Sequence, residues 1–187
     1  MDFIEDKKME EIKRLSRDLI HKGAIIEYYQ DTMQIPNGNV VKWDFIKHKG
    51  AAAVVPVLDD GKIIMVRQYR NALERYTVEI PAGGLDTVDE PTIDAANREL
   101  AEETGYHAKE MELLITIRTT VAFCNEKIDI YVAKGLMHGN QDLDEDEYVD
   151  VKAYSLDDLL AMIYGGEIED SKTIAAILAY KEKYCNK

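Results

Sequence analysis

Three glutamates, Glu99, Glu102 and Glu103, fall within five positions of one another in the segment Gly84–Tyr106, GLDTVDEPTIDAANRELAEETGY. Pro91 suits a helix's first turn, Asp94 its positive end and Gly105 its stop, so Pro91–Thr104 reads as a helix. Like charges three and four apart on a helix repel by roughly 0.2–0.5 kcal/mol per pair. At 100° per residue, Glu103 lies about 40° from Glu99, and Glu102 about 60° away on the other side. Ile93, Ala96 and Leu100 form an apolar stripe adjoining them, roughly 60–120° round. The acids therefore border the buried face, where burial raises a carboxyl pKa unless a cation compensates. Hard divalent ions such as Mg²⁺ or Mn²⁺ prefer such oxygens. A plain solvated face, partly neutralised by Arg98, is the other reading of the same residues.

The remaining punctuation sets out an α+β chain. Met9, Ile12, Leu15 and Leu19 recur at helical spacing, which predicts a helix over residues 5–20. Strands are expected at Ala24–Gln30 and Val40–His48 around the turn PNGN, and Ala51–Leu58 should pair with Ile63–Gln68 across Asp59-Asp60-Gly61 as a hairpin. Thr77–Ile80, Leu113–Ile117, Ile128–Ala133 and Val149–Tyr154 read as further strands, and Leu156–Tyr164 and Ser171–Tyr184 as helices. Strands outnumbering helices without strict alternation imply a mixed-sheet α+β or α/β/α sandwich. Residues 1–48 are expected to form an N-terminal extension and 49–187 the main domain.

The balance of the composition excludes several classes. A net charge of −13 argues against nucleic-acid binding, which needs a basic face. No run approaches the about 18 apolar residues of a membrane span, and the charged N-terminus lacks a signal segment. Two cysteines, Cys124 and Cys185, make neither a disulfide framework nor a zinc spacing. A reducing cytoplasm is the location these features suggest.

Gly84, Glu90, Arg98, Glu99, Leu100, Glu102, Glu103, Gly105 and Tyr106 follow the spacing Gly-x5-Glu-x7-Arg-Glu-U-x-Glu-Glu-x-Gly-U, where U is bulky and apolar. This resembles the signature of the Nudix hydrolases. The pieces RQYR and EIPAG, within Val66–Gly84, are similar to those of the family's ADP-ribose and ADP-sugar pyrophosphatase branch. The resemblance implies an α/β/α sandwich that binds two or three Mg²⁺ (or Mn²⁺) ions and cleaves a nucleoside diphosphate linked to another group. It makes Glu99, Glu102, Glu103 and the carbonyl of Ala82 the metal ligands, with Gly83 at the substrate and Glu90 bracing the loop through Arg98.

The flanks extend it. Arg70 matches a residue that contacts the substrate diphosphate, or forms a salt bridge with Glu74 or Glu79. Glu79 matches a residue near the substrate, or pairs with Arg67 or Arg70. Trp43 and Asp44 resemble an adenine-binding pair in enzymes whose N-terminal strands cross to a partner, implying a homodimer with strand exchange; Trp43 as a core or interface aromatic is the alternative, and Tyr28 and Tyr29 are weaker candidates for the same role. After the signature, Phe123 and Glu126 agree with the branch, while Val121 and Ala122 replace a proline and a glycine. That departure leaves other nucleoside diphosphate sugars and dinucleotides open beside ADP-ribose. Glu126 is either close to the metals or a plain loop acid. Glu147 aligns with the general base, with Glu145 in reserve. A nucleotide-sensing module without turnover is the rival from another class.

Overall fold

A computed structural model describes residues 11–143 and 148–185. Residues up to His48, with Thr120–Asn125, form one compact unit, and Lys49–Thr119 with the chain from Glu126 onward form a second.

The first unit is an antiparallel sheet of β1 (Lys13–Lys22), β2 (Glu27–Gln34) and β3 (Val40–Lys47), with β2 in the centre. The helix expected over residues 5–20 is therefore not what forms at Lys13–Lys22; residues 5–10 lie outside the described set. The reason is two register shifts. Arg14 pairs with Met33 and Ser16 with Thr32, then Leu19 with Tyr29 and His21 with Tyr28, so Leu15 and Ile20 are extra residues in bulges. A bulge resets the two-residue alternation of a strand. With Leu15 itself the extra residue, Ile12, Leu15 and Leu19 fall three and four apart, which imitates a helix. The sheet is cross-linked at Arg17, whose Nε and Nη2 donate to the two oxygens of Asp31 at 2.6 Å each. Its guanidinium also lies 3.7 Å from the centre of the Phe45 ring. That bidentate pair holds the buried Asp31 carboxyl below its usual range. Ile46 pairs with the 120–125 segment, donating its N–H to the Phe123 carbonyl at 2.7 Å.

The second unit is the expected α/β/α sandwich. Its central strand β4 (Ala51–Pro56) is buried along its whole length. Alternation sends Ala51, Ala53 and Val55 to one core and Ala52 and Val54 to the other. β4 lies between β7 (Ala82–Gly84), antiparallel, and β10 (Lys127–Lys134), parallel; β9 (Glu110–Arg118) completes this mixed sheet. A second sheet sets β5 (Ile63–Arg70) between β6 (Arg75–Glu79) and β12 (Val149–Tyr154). Short strands β8 (Tyr106–His107) and β11 (Met137–His138) pair separately.

The hairpin expected between 51–58 and 63–68 reduces to one bridge, Val57 with Ile63. Both hydrogen-bonding edges of β4 are taken by β7 and β10, so β5 has no edge of it to join. The turn itself forms: Leu58 donates its N–H to the Lys62 carbonyl at 2.9 Å, and Gly61 adopts φ +82°.

Helix α1 (Thr92–Thr104) covers one face of the mixed sheet through Ala96 and Leu100, against Ala52, Val54 and Tyr131. Helices α2 (Leu156–Tyr164) and α3 (Ser171–Tyr184) cover the other through Leu159 and Ile177. Each fully buried aliphatic side chain of this kind contributes about 1.5–3 kcal/mol. Ser155 caps α2 and Asp170 caps α3, each accepting a backbone N–H two positions into the helix. The start of α1, after Pro91, has no side-chain cap; instead the Thr92 hydroxyl donates to Asp129 of β10 at 2.9 Å, tying the helix to the sheet. Among the described residues no helix is long and apolar enough to cross a membrane.

Candidate active site

The strand β6 ends at Glu79, and after Ile80 and Pro81 come the three residues of β7. They lay the backbone of Ala82 and Gly83 against the acidic edge of α1. Ala82 donates its N–H to Glu103 Oε2 at 2.9 Å. Gly83 sits so close to Glu99 that an added Cβ would lie 2.1 Å from the carboxyl carbon and from Oε1. Only a glycine leaves that carboxylate its place. Glu99 and Glu103 are buried, at 8% and 3% exposure, while Glu102 stands at the rim.

Arg98 knits the rim together. Its Nη1 donates to Glu99 Oε1 at 2.7 Å and to Glu102 Oε2 at 3.2 Å. Its Nη2 donates to the Gly84 carbonyl at 3.1 Å and to Glu90 Oε1 at 3.5 Å. Glu90 also accepts the Asp86 N–H at 2.6 Å, bracing the loop ahead of the helix. The far end of α1 is clipped as well. Gln141 donates its side-chain amide to the Glu103 carbonyl at 2.6 Å, and the Asp142 N–H meets the Glu102 carbonyl at 3.2 Å, satisfying two carbonyls a helix end leaves open. A cleft of about 660 Å³ opens between this segment and Arg98 and Glu102.

The donor set fits a hard divalent cation: carboxylate oxygens and a neighbouring backbone, with space enforced by Gly83. Among the described residues no three His, Cys, Asp or Glu side chains form a finished cage. Mg²⁺ commonly uses few protein ligands and completes its shell with substrate phosphate oxygens.

Arg70, at the end of β5, settles on Glu79 rather than Glu74. Its Nε and Nη2 donate to Glu79 Oε1 and Oε2 at 2.8 and 2.6 Å. Glu79 is 2% exposed and also accepts from the Thr77 hydroxyl at 2.6 Å and from the Lys172 ammonium. Burial pushes the Glu79 carboxyl up, yet Arg70 and Lys172 outweigh it and hold the group at about 2, against an ordinary 4.5. A depressed folded-state pKa stabilises the fold above the unfolded value, and that contribution is lost as pH falls from 4.5 through about 2. The shift corresponds to about 3 kcal/mol. The stability gap between the wild type and Glu79→Gln, from urea unfolding, is expected to be open at pH 6 and to close as pH approaches 2. A gap unchanged across that range would remove the ionised Glu79 from the account.

The other candidates are more dispersed. Glu126 accepts from the Thr119 hydroxyl at 2.6 Å. In the first unit, Trp43 is 45% exposed on β3, and Asp44 accepts from the Tyr28 hydroxyl at 2.6 Å. Glu145 and Glu147 lie outside the described residues. Lys172 and Gln141 are absent from the sequence reading. A lysine in the first turn of a helix carries no signal of burial, and a single glutamine in a loop carries none of capping.

A loop ahead of a helix, with the helix acids packed on a glycine backbone, sits within a Nudix hydrolase, for this chain belongs to the Nudix family: the NUDIX domain matches residues 47–177. It is 42% identical over 173 residues to an ADP-ribose pyrophosphatase of Bacillus subtilis, covering 91% of this chain and 92% of the relative. At the same 42%, over 172 residues, it is similar to a methanol dehydrogenase activator of Bacillus methanolicus, with coverage of 91% and 92%. An ADP-ribose pyrophosphatase of Mycobacterium tuberculosis is 34% identical over 171 residues, covering 90% of this chain and 83% of the relative. A solved ADP compounds hydrolase matches the fold with a TM-score of 0.83 at 22% identity, over 94% of this chain and 95% of its own.

Proposed function

We propose that this chain hydrolyses the pyrophosphate bond of ADP-ribose, giving AMP and ribose 5-phosphate. The observation that carries the reading is the packing of Ala82 and Gly83 onto Glu103 and Glu99. It brings the backbone of Ala82 and Gly83 against two carboxylates, which supports the reading of a diphosphate bound through divalent ions. The relatives named ADP-ribose pyrophosphatase support the substrate.

In this mechanism Ala82, Glu99, Glu102 and Glu103 would hold two or three Mg²⁺ ions, with Mn²⁺ as the substitute. Bound there, such ions neutralise the diphosphate and lower the pKa of a water. Arg70 and Gly83 orient the diphosphate, with Glu79 holding Arg70 in place. Water adds to one phosphorus in line as the bridging P–O bond breaks. Glu147, or Glu145 in its stead, takes the proton from that water, and Glu126 would border the metal site. General-base help of this kind is worth about 10²–10⁴-fold. Trp43 and Asp44 recognise adenine, by stacking on its face and accepting from its amino group. The chain works as a homodimer that exchanges N-terminal strands; Ile12, Leu15, Leu19 and Ile20, each about half exposed on the first unit, support an interface there.

The test is AMP release from a panel of nucleoside diphosphate sugars and dinucleotides, with and without Mg²⁺ or Mn²⁺. ADP-ribose is expected to have the highest kcat/KM, with no turnover in EDTA. A panel on which another compound is preferred would replace the substrate, and metal-independent turnover would end the mechanism. Trp43→Ala is expected to raise KM for adenine substrates about tenfold, the loss of one stacked aromatic contact of roughly 1–1.5 kcal/mol. An unchanged KM removes Trp43 from the site. The relative named as a methanol dehydrogenase activator favours a second reading, action through a partner enzyme. Turnover by the purified chain alone separates the two.

A further inference from the structure

We propose that Lys172, in the first turn of α3, is a positioning residue for substrate binding: it holds Arg70 in place through the buried carboxylate of Glu79. The inference rests on the reading of Arg70 as a diphosphate contact.

Glu79 is saturated. Oε1 accepts from Arg70 Nε at 2.8 Å and from Thr77 Oγ1 at 2.6 Å, and Oε2 accepts from Arg70 Nη2 at 2.6 Å and from Lys172 Nζ. Such charge-assisted, bidentate bonds fix orientation as well as contributing energy. One carboxylate thus serves two cations. Asp170 also bonds Lys172, so Arg70, Lys172, Glu79 and Asp170 are neutral together; without Lys172 the cluster would carry a net negative charge that opposes a diphosphate at Arg70. Arg70 spends Nε and Nη2 on Glu79, and among the described residues its Nη1 makes no hydrogen bond. Its side chain is 39% exposed, and it feels the charge of Glu103 on α1. One edge of the fork is clamped on Glu79, and the side chain as a whole stays partly open to solvent.

The clamp is itself anchored. Lys172 Nζ donates to Asp170 Oδ2 at 2.9 Å, and the same oxygen accepts the Thr173 N–H at 3.0 Å and the Thr173 hydroxyl at 2.6 Å. Thr173 Oγ1 in turn accepts the Ile80 N–H at 3.0 Å. The first turn of α3 therefore grips Glu79 and Ile80 together, two residues before Ala82 meets Glu103. Lys172 and Glu79 are 93 positions apart, and both are buried. A lysine is seldom buried without a charge to meet, and here that charge is the one orienting Arg70.

The experiment is a cycle of Lys172→Met, Arg70→Ala and the double variant, with Lys172→Arg as the conservative control, read by KM and kcat for ADP-ribose in Mg²⁺. Lys172→Met is expected to raise KM by roughly tenfold, the scale of one charge-assisted hydrogen bond, with kcat within threefold. Lys172→Arg restores most of that loss. In the Arg70→Ala background Lys172→Met adds nothing further, since coupled residues are not additive. Full additivity, or an unchanged KM with only a lowered urea midpoint, would overturn the proposal. Should Lys172→Met not fold, Lys172→Gln takes its place in the cycle. Calorimetric binding of inorganic pyrophosphate in Mg²⁺ gives a readout apart from turnover, expected to weaken equally in Lys172→Met and Arg70→Ala. If the wild type turns over no nucleoside diphosphate, the proposed function fails, while that binding arm still decides on Lys172: equal weakening supports it and wild-type affinity in Lys172→Met refutes it.

Discussion

Glu103→Gln is expected to lower kcat for ADP-ribose by at least about 10³-fold, with the fold intact. The substitution is isosteric, and the amide oxygen still accepts the Ala82 N–H that Glu103 Oε2 takes at 2.9 Å. Glu103 is 3% exposed, so its negative charge is held in the cluster rather than spread into water. Removing that charge relieves repulsion from Glu99, four residues before it, by a few tenths of a kcal/mol. Stability should therefore hold or rise slightly. What disappears is one hard, charged oxygen donor, and metal-borne charge stabilisation is worth several kcal/mol, tenfold in rate per about 1.4 kcal/mol. The measurement is AMP release in Mg²⁺ beside a urea unfolding curve. Wild-type turnover in this variant would refute the assignment of Glu103, whatever the substrate proves to be.

The second large effect belongs to a residue with no functional group. Gly83→Ala puts a methyl 2.1 Å from the carboxyl carbon of Glu99. The obstruction is the end of a flexible side chain, so Glu99 can swing aside and the chain should still fold; overpacking of this kind costs about 1–3 kcal/mol. The displaced carboxylate cannot be where the chemistry needs it, and a misplacement of about 1 Å can cost around 10²-fold in rate. Gly84→Ala is the control, because a Cβ there meets nothing within 4 Å. It is expected to lose far less activity. Equal losses at the two positions would show that backbone freedom, rather than the space beside Glu99, is what the loop requires.

The two neighbouring glycines show how far a linear pattern reaches. Gly84 is the one that the signature specifies, yet Gly83 is the one with no room for a side chain. The α1 region was legible because everything in it is local: Pro91, the apolar stripe and Gly105 set the helix, and 100° per residue sets the acids on one edge. Val149–Tyr154, Leu156–Tyr164 and Ser171–Tyr184 were legible for the same reason, and they occur with those bounds. β1 was misread because bulges at Leu15 and Ile20 erase the period of two. The 51–68 hairpin was misread because a strand's partners are decided by competition for its two edges, which no turn signal reveals.

By itself, then, the chain's order of residues determined the sandwich class, the position of α1 and the alignment of Glu99, Glu102 and Glu103 along one edge of that helix. These follow from torsional preference and from periodicity over a dozen residues. Tertiary structure alone decided that Arg70 rests on Glu79, that Lys172 completes that carboxylate from 93 positions away, and that Gly83 must lack a Cβ. Each of those depends on which surfaces two packed layers bring within hydrogen-bond reach, and burial then makes every unmatched charge costly enough to require its partner.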